Sequence, residues 1–169
     1  AEHMQSFGTV EATAVEELAV AGFSDLSVIN RDDVDAAYAK YAKTDSLVTY
    51  GLSKQAEFRI EFDAIVSPLD GKMGTLITPD WEPVQIMTQL VGDHNIRSAA
   101  GAAAVGANLG MSAESVAIGI SKIAPVAGRM NVLRGVNESV IIDDSYNSSP
   151  LAAIAALKTL YAIPTDQRI

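Results

Sequence analysis

Cysteine is absent from the 169 residues, and histidine occurs only twice, as His3 and His94. Disulfides and thiolate metal sites are therefore excluded, and so is a triple-histidine metal centre. Basic residues are also scarce, with 12 Lys and Arg against 21 Asp and Glu for a formal charge of −9. A nucleic-acid binder needs a basic face to displace counterions, and an anionic membrane surface needs one for adsorption, so neither partner is expected. Net acidity of this size serves solubility. Long apolar runs are missing too. The stretch 98–111 is mostly Ala and Gly and falls short of the roughly 18 apolar residues that span a bilayer. No charged segment followed by an apolar one opens the chain, so no signal peptide is read. A cytoplasmic protein without membrane insertion, and a monomer, is the expectation. Among nucleotide and nucleophile motifs, GxGxxG, GxxxxGK[ST] and the nucleophile elbow are all lacking.

What is present is core-forming. Hydrophobic residues make up 49% and charged residues 20%, with mean hydropathy +0.18, which suits one globular domain, or one and part of another. Residues 9–21 read as a short helix ending near Gly22, 26–30 as a buried strand running into the acidic turn Arg31-Asp32-Asp33, 34–42 as a helix, and 47–52 as a second strand. Three β-like runs follow at 58–67, 74–78 and 83–91. The first alternates well, with Phe58, Ile60, Phe62 and Ala64 on one face, and Asp70-Gly71 supplies a turn signal. The pattern predicts an antiparallel meander laid on an α/β core.

After Gly92 the period becomes helical. Residues 95–109 form an Ala-rich helix that Gly110 stops, and Ser112 caps another whose apolar positions are Val116, Ile120 and Ile123. Residues 125–128 are a linker with Pro and Gly at its ends. Two strands (131–133 and 139–142), the loop DDSYNSSP and a helix over 151–161 come next. Pattern and composition restart at the linker, which places a domain boundary between 1–124 and 125–169. Gln167-Arg168-Ile169 read as the first step of another strand, so the helix before them belongs to an unfinished βαβ unit and the chain reads as cut on its C-terminal side.

Spacing alone brings together His3 with Glu11, Glu16 and Glu17. Hard oxygen donors and one imidazole suit a divalent cation, and the same pattern describes an ordinary solvated acidic helix face. Asp32-Asp33 and Asp143-Asp144 each follow a hydrophobic strand, the position where open α/β sheets hold ligands and also where loops collect polar residues. Arg129, at the domain boundary, can stack on an aromatic base or pair with phosphate, or be a surface arginine. His94-Asn95 opens the Ala-rich helix, where free N–H groups favour anions unless Asp93 or Asn95 caps them.

Taken in order, five segments resemble one family. AEHMQSFGTVEATA is similar to the "AHLEGFGSLEGVA" stretch of Mur ligases, and SVINRDD to their "NADD" strand end. GDHNIRSAAGAAAVGANLG resembles the "GxHNxxNALAAxAxAxxLG" helix, PVAGRM resembles "PVPGRM", and IIDDSYNSSPLAAIAAL resembles "VIDDSYNANPDSMRAAL". The chain is identified as resembling a member of the Mur ligase family, most like its D-alanyl-D-alanine-adding branch (MurF type). The resemblance implies an ATP-dependent amide ligase of peptidoglycan precursor synthesis. Such an enzyme activates the carboxyl end of a UDP-MurNAc-peptide as an acyl phosphate for attack by an amine, here D-Ala-D-Ala. It implies the C-terminal part of the central ATPase domain, a mixed sheet with antiparallel strands and Ala-rich helices, followed by the start of a Rossmann-like C-terminal domain. The phosphate-binding loop would lie upstream, so this chain alone is expected to be inactive.

Residue by residue, the resemblance makes His3 a ligand of a second magnesium, puts Asn95 on the adenine, sets Arg129 against the nucleotide from the domain hinge, and places Asp144 on the ribose side. ATP and Mg2+ are the implied cofactors. Two positions depart from the family. Glu17 stands where the family carries a lysine that becomes carbamylated, and as a permanent carboxylate it can supply the same charge to the metal. Ser98 replaces an asparagine of the adenine-binding turn with a shorter side chain carrying one donor. These departures leave room for a non-catalytic Mur-like scaffold, and another amide ligase of the superfamily (folylpolyglutamate or cyanophycin type) is the remaining alternative.

Overall fold

The computed structural model describes residues 7–34, 36–62 and 69–169. His3 and the end of the run predicted at 58–67, Ala64 included, lie outside them. The chain opens with α1 (Val10–Leu18), whose first turn is capped by the Thr9 hydroxyl accepting from the Ala12 N–H at 3.0 Å, and continues into a short 3-10 turn (Ala19–Phe23). Then come β1 (Ser27–Asn30), the single turn α2 (Ala36–Ala39), β2 (Leu47–Gly51), β3 (Phe58–Phe62), β4 (Lys72–Ile77) and β5 (Val84–Thr88). Two helices follow, α3 (Asp93–Asn108) and α4 (Ala113–Ser121). The rest is a hairpin of β6 (Asn131–Arg134) and β7 (Val140–Asp143), then α5 (Pro150–Ala162).

The first five strands form one mixed sheet in sequence order, β1, β2 and β3 parallel and β3, β4 and β5 antiparallel. The predicted meander is thus present. Parallel neighbours ordinarily need a crossover of a dozen residues, yet only residues 52–57 separate β2 from β3. The reason is register: only Tyr50↔Phe58 and Gly51↔Arg59 pair, so β3 starts where β2 ends and the chain makes a sideways step.

Alternation decides which face is buried. Ile60 of β3, Leu76 of β4 and Ile86 of β5 point to the helices, where they pack in one cluster with Ile96, Ala99, Ala100 and Ala103 of α3 and Val116 and Ile120 of α4, and Phe58 of β3 is buried as well. On the opposite face the cross-strand pair Met73 and Met87 stays exposed. Small residues let α3 lie low on the parallel strands. A side chain at Gly101 would come within 3.0–3.2 Å of the Tyr50 ring. Phe62 fills the gap opposite Gly74, its directly paired residue, where a Cβ would sit 2.7 Å from the ring.

Helix ends follow the sequence signals. Gly110, at φ 84°, closes α3, with the Met111 N–H donating to Gly106 O and the Gly110 N–H to Ala107 O, both at 3.0 Å. Ser112 caps α4 through the Ser115 N–H (3.2 Å), and Ser149 caps α5 through the Ala152 N–H (3.2 Å) with Pro150 in the first turn. The reading of 167–169 as a strand is not met: these residues form no ladder. Arg168 instead turns its guanidinium back onto Leu160 O, Tyr161 O and Ile163 O at the end of α5, satisfying carbonyls the helix leaves open. No helix among the described residues is long and apolar enough to cross a membrane.

Candidate functional site

The parallel strands β1 and β2 end at one corner of the sheet, and the polar residues predicted there converge on it. Asp32 accepts from the Leu52 N–H at 2.7 Å and the Ser53 N–H at 3.0 Å, tying the loop after β1 to the loop after β2. Asp33 accepts from Asn30 Nδ2 at 2.6 Å and from Arg97 Nη1 at 2.5 Å. Burial pushes the Asp32 carboxyl up, but the two backbone N–H groups, the Ser53 side chain and the charge of Arg97 outweigh it and hold it below the ordinary carboxylate range. A depression of about 730 Å³ opens here, lined by Arg31, Asp32, Asp33, Ser53, Asp93 and Arg97.

The N-terminus of α3 borders the same corner. Gly92 is its N-cap at φ 83°, and no side chain caps the helix, so neither Asp93 nor Asn95 takes that part. Asn95 donates its Nδ2 to Val91 O at 3.0 Å, and the Ser98 hydroxyl donates to His94 O at 3.2 Å. Both predicted adenine contacts therefore sit one turn apart on the helix start. Each spends a donor locally and keeps an oxygen lone pair. Between this helix start and α5 lies a second cleft of about 570 Å³, with Lys72, His94, Arg97, Lys158 and Thr159 among its walls.

The linker and the loop after β7 are zipped together. Tyr146 N–H donates to Gly128 O at 3.0 Å, Met130 N–H donates to Asp144 Oδ1 at 3.1 Å, and the Arg129 guanidinium stacks on the Tyr146 ring at 4.3 Å. Met130 takes a left-handed φ of 53°, rare for a side chain of its kind, and is completely buried. The Ser145 hydroxyl (2.6 Å) and then its N–H (3.2 Å) hold Asp143 below the ordinary carboxylate range. Arg129 and Asp144, predicted separately, thus meet where the linker packs on the loop after β7. No hydrogen bond or ion pair among the described residues joins this pair to Asn95 and Ser98.

Glu17 lies on α1 and lines a small pocket of about 190 Å³ together with Thr13, Asp33, Val34 and Tyr38. His3 lies outside the described residues, and among these no group of three or more potential metal ligands gathers. On the same helix, Glu11 accepts from the Tyr41 hydroxyl, which ties α1 to the turn after α2. The partners that sequence reasoning missed are Arg97 and Tyr146. Both sit inside motifs quoted above, and only their tertiary neighbours reveal what they touch.

Fold and site define an α/β protein whose parallel strands end in a carboxylate-rich corner beside an uncapped helix start, joined by an arginine-bearing linker to a further strand pair and helix. The model of the Mur ligase middle domain matches residues 1–106. A UDP-N-acetylmuramate--L-alanine ligase of Caulobacter sp. (strain K31) is 30% identical, the alignment covering 100% of this chain and 37% of that protein. This chain belongs to the Mur ligase family.

Among solved structures, MurF from Acinetobacter baumannii matches with TM-score 0.79 at 21% identity, covering 96% of this chain and 35% of that one. MurF ligase from Thermotoga maritima in complex with ADP matches with TM-score 0.73 at 18% identity, covering 96% and 37%. These likenesses establish the α/β fold. The chain spans little more than a third of the length of the relatives it matches.

Proposed function

We propose that this chain carries the adenosine-contacting and hinge portions of an ATP-dependent amide ligase that extends a UDP-MurNAc-peptide through an acyl phosphate. The observation that carries the reading is the hinge, where Arg129 and Asp144 are fixed side by side by Tyr146 and Met130. Asp144 engages one carboxylate oxygen with a backbone N–H, which leaves the other to accept from a ribose hydroxyl. Arg129 presents a fixed cation, suited to phosphate. Asn95, its Nδ2 committed to Val91 O, offers Oδ1 to the exocyclic amine of adenine, and Ser98 contributes a shorter, water-bridged contact in place of an amide. On this reading residues 1–124 belong to the central domain and 125–169 begin the C-terminal one.

Hard oxygen donors suit magnesium, and Glu17 brings a carboxylate to the small pocket beside α1. His3 and Glu17 would hold the ion, which supplies neutralisation of phosphate charge during transfer. Glu17, a side chain that carries its carboxylate without carbamylation, would take the place of the family's carbamylated lysine. Glu17→Gln in the full-length protein should then raise the magnesium concentration needed for half-maximal rate. An unchanged magnesium dependence removes Glu17 from the site.

For the amine, the DDSYN loop supports D-Ala-D-Ala as acceptor. L-alanine has support of its own in the 30% identical Caulobacter relative. The deciding experiment offers the full-length protein ATP, Mg2+ and either UDP-MurNAc with L-alanine or UDP-MurNAc-tripeptide with D-Ala-D-Ala, following ADP release and product mass. Product with the tripeptide and dipeptide is expected. Product only with L-alanine moves the protein to that branch, and no ADP release with either removes the ligase reading in favour of a scaffold.

A further inference from the structure

We propose that Arg97 is a positioning residue that locks the nucleotide-contacting turn of α3 to the carboxyl ends of β1 and β2. The inference rests on the reading that Asn95 and Ser98 meet the adenine. The family resemblance assigns Arg97 nothing, because it occupies a variable position of the "GxHNxxNALA" pattern.

The argument starts from a weak helix start. A helix of 16 residues begins at Asp93 behind a glycine N-cap with no side-chain cap, so its first turn lacks the usual anchor for its free N–H groups. Asn95 and Ser98 lie in the first two turns, and their side chains bond to Val91 O and His94 O, so their aim depends on that turn being formed. Arg97 stands between them and faces the strand ends. Its Nη1 is 2.5 Å from Asp33 Oδ1, and its Nε is 3.8 Å from Asp32 Oδ2.

Both carboxylates are themselves fixed. Asp32 is held by the Leu52 and Ser53 N–H groups and Asp33 by Asn30 Nδ2. Asn30 Oδ1 in turn accepts from the Asp32 N–H at 3.0 Å. The packing is tight enough that a Cβ at Gly51 would fall 2.5 Å from Asp32 Oδ1. Arg97 therefore joins the start of α3 to the turn after β1, and Asp32 carries the link on to the turn after β2. The Arg97 Nε is buried yet makes no hydrogen bond. The arrangement fits a tether whose geometry is set by where the helix must sit.

The test combines two measurements on Arg97→Gln and Arg97→Lys, with thermal melting to confirm folding. In the full-length protein, Arg97→Gln should raise KM for ATP by about tenfold and change kcat by less than about twofold, with KM for the amine unchanged. Arg97→Lys should fall between, since one ammonium reaches only one of the two carboxylates. In this 169-residue chain, the Asn95 side-chain amide resonances should shift and broaden in Arg97→Gln. An unchanged ATP KM together with unmoved Asn95 resonances overturns the inference, as does a uniform loss of kcat and melting temperature without a KM effect. If the wild-type protein shows no adenine-nucleotide dependence, the nucleotide reading fails separately. The Asn95 resonances then decide on the tether alone, and unmoved signals overturn it.

Discussion

Arg129 lies over the ring of Tyr146 with its guanidinium carbon 4.3 Å from the centroid, and the backbone of the same tyrosine is bonded to Gly128. The stacked pair faces solvent: Tyr146 is 68% exposed. Water screens such a contact, so its contribution to stability is about 0.5–1 kcal/mol. Tyr146→Ala should lower stability by about that amount in a urea titration, while speeding amide exchange across residues 126–130 by a larger factor. Gly128→Ala should cost more, about 1–2 kcal/mol, because φ is 73° there and the new methyl would meet Tyr146 Cβ at 3.1 Å.

A methyl at Gly51 would meet a carboxylate. With the Asp32 carboxyl carbon 2.8 Å and its oxygens 2.5 and 2.9 Å from the ideal Cβ position, Gly51→Ala must displace Asp32 from the Leu52 and Ser53 N–H groups. The expected loss is about 1–3 kcal/mol. In the double variant Gly51→Ala with Asp32→Ala the two losses should not add, since both remove the same interaction.

The pH dependence of stability should carry a signature of Asp32. Its folded pKa lies below the ordinary value of 3.8, so the native state favours the ionised form. The stability this supplies is fully present above the unfolded pKa and is lost as pH falls through the lower, folded value. Asp32→Asn should therefore destabilise the chain near neutral pH by about 1–2 kcal/mol. The gap between variant and wild type should narrow only below about pH 4. A gap that stays constant down to acid unfolding would count against this role for the charge.

The two faces of the sheet should respond differently to truncation. Leu76 is completely buried under α3 and α4, and Leu76→Ala should cost about 2–5 kcal/mol. Met73, three residues earlier on the same strand, is 47% exposed, and Met73→Ala should stay within about 1 kcal/mol. Equal losses would mean that the outer face is covered in solution.

Much of the local structure was legible because short-range chemistry decides it. Ser112 caps α4 through its hydroxyl, Gly110 closes α3 with a left-handed φ, and the alternation of Phe58 and Ile60 names the buried face of β3, whereas the caps Thr9 and Ser149 were not read. The tail was misread. Gln167-Arg168-Ile169 has strand-like composition, but a strand exists only with a neighbour, and Arg168 finds helix carbonyls instead.

The candidate site was legible as a set of motifs and illegible as a geometry. Asp32, Asp33, Asn95, Ser98, Arg129 and Asp144 were all singled out in the chain, yet no spacing rule joins Asp33 to Arg97 across 64 positions or Arg129 to Tyr146 across the β6–β7 hairpin. Glu11 shows the converse. It looked like a member of an acidic cluster with Glu16 and Glu17, and its carboxylate is taken by Tyr41, 30 residues away.

The sequence by itself determined the family, the start of α4 at Ser112, the stop of α3 at Gly110 and the order of most secondary elements, because each depends on residues within a few positions or on a motif read in order. The tertiary structure alone decided that β2 and β3 pair by a two-residue overlap, that α3 begins without a side-chain cap, and that Arg97 ties it to the strand ends. Such relations depend on distances between side chains remote in the chain, and those distances exist only once burial of the Leu76 and Ile96 core has brought the helices onto the sheet.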